Sequence, residues 1–156
     1  MKSLILIAFV FGLFALTATG EGAPKPLPKD EKDEIKKFDG HWTITGWTQG
    51  GGELPKEFLD STKWSVTGDK YKFEQETSIE DGTIKLDSTK KPATIDLDIT
   101  SGNDKGKKQL GVYKIEKDVI TFCLGRPGDE KRPTDFTSTE DNNNILITLK
   151  KGKKDD

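Results

Sequence analysis

The segment Thr94-Ile95-Asp96-Leu97-Asp98-Ile99-Thr100 places every apolar residue on one parity and every polar residue on the other. A period of two is the mark of a strand with one buried and one wet face, because successive side chains of an extended chain point to opposite sides. Lys70-Tyr71-Lys72-Phe73-Glu74 and Thr83-Ile84-Lys85-Leu86-Asp87 repeat the pattern. Further strands are expected over residues 41–48, 63–67, 110–116, 119–124 and 145–149, which makes eight, or nine if residues 134–137 pair. Turn signals separate them at Gly68-Asp69, Glu80-Asp81-Gly82, Ser101-Gly102-Asn103-Asp104, Glu116-Lys117-Asp118 and Asp141-Asn142-Asn143-Asn144. Only a helical turn at residues 54–59 interrupts the run, so the chain reads as an antiparallel meander. Eight such strands hide their edges most simply by closing into an up-and-down barrel with apolar side chains inside. An outer-membrane barrel needs strands of about 9–11 residues with aromatic girdles, whereas most of these are roughly five to seven long and flanked by Lys and Asp. The expected class is therefore all-β: a small antiparallel barrel of a kind that does not insert in a membrane.

The first forty residues are organised differently. Lys2 precedes an apolar run over residues 4–16 broken only by Gly12, and Ala18-Thr19-Gly20 offers a small-x-small cleavage site. Residues 1–20 thus read as a cleavable signal peptide, too short for a spanning helix, which needs about 20 apolar residues. The expected location is secreted or periplasmic. Pro24, Pro26 and Pro28 make residues 21–29 a stiff linker. A short helix is expected over residues 30–39, with Ile35 and Phe38 on one face and Gly40 ending it, as a lid on the barrel that fills residues 30–150. Residues 151–156 form a charged tail.

The search for chemistry is mostly negative. With 25 Lys and Arg against 27 Asp and Glu spread along the chain, no concentrated basic patch calls for nucleic acid or an anionic membrane. The single histidine, His41, and single cysteine, Cys123, leave a triad or a tetrahedral zinc site short of members, and no Gly-x-Ser-x-Gly elbow is present. No catalytic residue, metal ligand or cofactor is expected, and the chain reads as a non-enzyme. Cys123 is either a small strand residue or a thiol open to oxidation or intermolecular pairing. Gly50-Gly51-Gly52, with no helix behind it, reads as a loop at the barrel mouth and not as a phosphate cradle.

Phe38-Asp39-Gly40-His41-Trp42, a helix running into Gly-x-Trp at the first strand, resembles the opening of a lipocalin, in which the Trp closes one end of the barrel. That resemblance implies a basic side chain across Trp42, a place for Arg132 or Lys150. Over most of the chain, the ordered segments Gly40-x-Trp42, Lys90-Lys91-Pro92-Ala93-Thr94-Ile95-Asp96-Leu97, Gly111-Val112-Tyr113, Cys123 and Arg132-Pro133-Thr134-Asp135-Phe136 resemble an uncharacterised lipocalin-like domain family expanded in planctomycete bacteria. What the family implies is a small exported barrel, with no established activity to carry over.

Three functions remain open. A lipocalin-like barrel holds one small apolar or amphipathic ligand or is filled by its own side chains. For the first case the expected lining is Trp42, Trp64, Tyr71, Phe73 and Tyr113, the tyrosines adding polar handles to an apolar wall. In the second case the domain is a structural or protein-interaction module, and Trp47, on the outward parity next to the glycine run, is the expected partner-binding residue. A carboxylate-dependent hydrolase at the barrel mouth is the third. A monomer is expected in each case.

Overall fold

The computed structural model describes residues 29–152; the expected signal peptide, the proline-rich linker and most of the tail lie outside the described residues. Helix α1 (Lys29–Ile35) leads into β1 (Gly40–Gln49), then β2 (Gly52–Glu53), α2 (Lys56–Asp60), β3 (Thr62–Thr67), β4 (Lys70–Gln75), β5 (Ser78–Asp87), β6 (Ala93–Ile99), β7 (Lys108–Glu116), β8 (Val119–Leu124) and β9 (Ile145–Lys151). Every strand from β3 onward pairs antiparallel with the next, and β1 pairs with both β3 and β9, so β1 and β3–β9 close an eight-stranded up-and-down barrel. The two-residue β2 only folds back on the end of β1. Closure satisfies the ladder bonds that open edges would leave unpaired.

The alternation read from the sequence is what points the barrel's apolar side chains inward. Trp42, Ile44, Trp64, Val66, Tyr71, Ile84, Leu86, Ile95, Leu97, Tyr113, Ile120 and Phe122 are all buried, and Phe73 and Ile115 pack against them partly exposed. At one end the chain before β1 acts as a plug. Ile35 is buried at the end of α1, and in the following turn Phe38 is wholly enclosed, 5.2 Å from Tyr113 and 6.0 Å from Phe122 between ring centres. The Trp42 indole N–H donates to the Phe38 carbonyl oxygen at 2.7 Å, and the Tyr113 hydroxyl donates to Glu34 at 3.0 Å, tying plug to barrel. The cation across Trp42 is Lys151, whose Nζ lies 5.5 Å from the ring centre. Arg132 and Lys150 do not occupy that place: Arg132 sits on the outer wall, and Lys150 is exposed on the opposite parity of β9.

Three further expectations are corrected. Glu80-Asp81-Gly82 is not a turn but lies inside β5, which begins at Ser78. Gly82 is required there because any Cβ would strike the Tyr71 ring and the Asp98 carbonyl oxygen. Residues 134–137 form no strand; they belong to the 125–144 connection, which lies as a strap over the outer face of β6–β8. Arg132 holds that strap, donating to the carbonyl oxygens of Ile95 (3.0 Å) and Gly111 (2.7 Å) and pairing with Asp96 at 2.6 Å. Beneath it Val112 and Cys123 are buried on the outward parity, and the Cys123 thiol faces the Thr137 carbonyl oxygen at 3.5 Å. Burial pushes this thiol up to about 11, so it is no ready nucleophile.

The third correction concerns β1. Its register with β9 slips between Ile44 and Gly46, a β-bulge that inserts Thr45 as an extra residue. One extra residue reverses the parity of everything after it. Trp47, outward on the simple alternation, is therefore turned into the barrel, opposite Ile147.

Candidate functional site

Away from the plug the interior is not filled. A cavity of about 260 Å³ occupies the other end of the barrel, and each of the eight barrel strands contributes to its wall, from Trp47 of β1 and Trp64 of β3 through Glu80 of β5 and Gln109 of β7 to Ile147 of β9. Asp104, from the loop joining β6 to β7, and Pro127, from the strap, overhang it. The volume lies just below the roughly 300 Å³ at which drug-sized pockets begin, which suits a ligand of one ring or a short chain.

The wall is aromatic on one side and polar at the rim. Trp64 stacks on Tyr71 at 4.9 Å and meets Phe73 edge to face at 6.3 Å, while Trp47 lies 5.8 Å from Phe73 and 5.6 Å from Phe58 of α2. The short helix α2 thus meets the Trp47 ring at this end of the barrel. The indole N–H groups of Trp47 and Trp64 are buried with no acceptor among the described residues, an unfavourable placement that belongs to both tryptophans of the cavity wall. Glu80 projects inward beside its cross-strand partner Phe73 and accepts the Tyr71 hydroxyl at 2.9 Å through Oε1. Burial chiefly, with the charge of Asp104 adding to it, holds the Glu80 carboxyl above its ordinary range, against the opposing Tyr71 hydrogen bond. Gln109 is buried and donates to the Gly125 carbonyl oxygen at 2.8 Å, which fixes the start of the strap over the cavity.

The five residues expected to line a pocket are thus divided. Trp64 and Phe73 line the cavity. Trp42 and Tyr113 pack at the plugged end, and the Tyr113 hydroxyl is committed to Glu34. Tyr71 stands behind the wall, where its stacking places Trp64 and its hydroxyl places Glu80. Trp47, expected on the surface, is instead partly buried in the cavity wall. Sequence reasoning missed Glu80, Gln109 and Asp104. A polar residue on the inward parity of an apolar strand, as Gln109 is beside Gly111 and Tyr113, was the available signal.

His41 is exposed, with its backbone carbonyl accepting from Gly152 at 2.8 Å. Among the described residues no three His, Cys, Asp or Glu side chains gather as metal ligands. The fold and cavity together define a small closed antiparallel barrel with an amphipathic recess at one mouth. No protein-family model, curated protein or solved structure matches the chain.

Proposed function

We propose that this protein is an exported lipocalin-like binding protein that holds one small amphipathic ligand at the open end of its barrel, by burying ligand surface and without making or breaking bonds. The observation that carries this reading is the cavity built by all eight strands. Closely packed side chains fill most protein interiors, so an unfilled recess inside the barrel, lined by both apolar and polar groups, supports a site for a small ligand. The signal-like residues 1–20 support export, and the charge distribution supports a monomer that engages neither nucleic acid nor, once the leader is cut, a membrane. The likeness of the Gly40-x-Trp42 opening and of the segments that follow it to lipocalin-like domains supports the same reading.

Titration of the purified protein with an environment-sensitive apolar dye, followed by tryptophan fluorescence, tests it. Saturable one-to-one binding that disappears when Leu97→Trp fills the cavity, with the fold intact by circular dichroism, is the expected result. A well-folded protein that takes up no dye would send the search to the loops and to protein partners. Export is tested separately by the mass of the product recovered outside the cytoplasm, with cleavage expected after Gly20.

A further inference from the structure

The mouth cavity has a charge character that its size alone does not require. Two carboxylates, Glu80 and Asp104, stand on its lining, and no Lys, Arg or His does, although the chain as a whole carries nearly as many basic as acidic residues. Glu80 offers the more telling geometry. It points into the barrel from β5, only Oε1 is engaged, by the Tyr71 hydroxyl, and among the described residues no basic side chain pairs with it. Asp104 is already paired with Lys107 at 2.7 Å, so its charge is partly answered from the rim. Beside Glu80 are three aromatic rings, its cross-strand partner Phe73 and then Trp64 and Trp47, with centroid separations of 5.8 Å and 6.3 Å along the series Trp47–Phe73–Trp64.

A carboxylate placed in an apolar wall is unfavourable unless something of opposite charge meets it. Aromatic faces attract cations through the ring quadrupole, most strongly where water is excluded, and cages of such rings recognise quaternary ammonium groups. An anionic ligand, a fatty acid for example, would bring a third carboxylate against Glu80 and Asp104. We propose that the ligand of this cavity is a compact organic cation, an amine or quaternary ammonium whose charged head lies among Trp47, Trp64 and Phe73 beside Glu80. This deepens the small-ligand reading and rests on it. Tyr71 is then a positioning residue, holding the Glu80 carboxylate through its hydroxyl and the Trp64 ring through stacking.

The test compares choline with 3,3-dimethyl-1-butanol, which replaces the ammonium nitrogen by carbon at nearly the same shape, by calorimetric titration of the purified protein. Indole N–H resonances of Trp47 and Trp64 report where each probe sits. Choline is expected to bind at least tenfold more tightly than the alcohol, a difference of about 1.4 kcal/mol, and to move both indole signals. Glu80→Gln, which keeps the shape and the acceptor for Tyr71, is expected to remove most of that preference while leaving apolar dye uptake in place. Equal binding of the two probes, or dye uptake with no binding of choline, overturns the cation proposal and leaves the binding-protein reading standing. Failure of choline, alcohol and dye alike overturns both.

Discussion

Replacing Phe38 by Ala removes the ring that closes one end of the barrel and leaves the backbone that Trp42 uses. Phe38 is 0% exposed and touches Tyr113 and Phe122. Returning its ring to water forfeits about 2 kcal/mol of transfer free energy. A residual void of about 80 Å³, charged at roughly 24 cal/mol per Å³, adds about 2 kcal/mol more. The total of about 4 kcal/mol is a large share of the roughly 5–15 kcal/mol that holds a domain together. Because the Trp42 indole N–H bonds to the Phe38 carbonyl oxygen, which Ala also provides, the loss belongs to the ring. At about 3–5 °C per kcal/mol for a domain of this size, Tm should fall by about 12–20 °C. Calorimetry and urea denaturation read the change. Phe38→Leu should lose only about 1–1.5 kcal/mol, and exposed Lys36→Ala no more than about 0.5 kcal/mol. A Phe38→Ala protein melting within about 4 °C of the parent, with an unchanged urea slope, would mean that the plug docks outside the cooperative core.

Three other outcomes follow from the same contacts. Arg132→Met should cost about 2–3 kcal/mol by releasing the strap, and should raise the rate at which a thiol reagent labels Cys123, which is fully enclosed in the parent. Gly82→Ala, forced onto the Asp98 carbonyl oxygen and the Tyr71 ring, should lose about 1–3 kcal/mol and displace Tyr71 from Glu80, visible in the near-ultraviolet circular dichroism. For Glu80 the folded state binds the proton more tightly than the unfolded chain does, so its contribution is greatest below the unfolded carboxyl value near 4.3. That contribution falls as pH rises through the window up to the folded value and is constant above it. The urea midpoint of Glu80→Gln minus that of the parent should therefore rise with pH across this window. A difference that falls with pH would show that the carboxylate is paired and not merely buried.

Period two was enough to find all eight barrel strands, because one wet and one dry face leave a plain mark in every hairpin. It failed in two places, and both belong to the candidate site. Simple alternation puts Trp47 on the surface because a bulge is one unpaired residue, Thr45, with no composition of its own. Glu80 reads as part of a turn because Glu-Asp-Gly ordinarily makes one; here Gly82 gives up its side chain so that the Tyr71 ring can lie across β5. Local rules are broken where tertiary structure needs something other than a well-packed strand, and a cavity is such a place. The strap was equally illegible. Its hold on the barrel is Arg132 reaching two backbone carbonyl oxygens, and backbone acceptors leave no trace in sequence. The resemblance calls for a cation across Trp42 but does not say which one; only the β1–β9 register, which sets Lys151 opposite Trp42, decides it.

The seam between β1 and β9 sets the order in which this barrel can come into being. All other pairings of the barrel join consecutive barrel strands, but the first long strand waits for the last, across residues 49 to 145 and beyond. During synthesis the β1 edge, with Trp42 and Trp47 on it, stays open until the final strand emerges, so closure is the slow, high-contact-order event and the last to occur. A chain cut short by the seven residues of β9 would have two naked edges, β1 and β8, with no partner left to choose but another copy of itself.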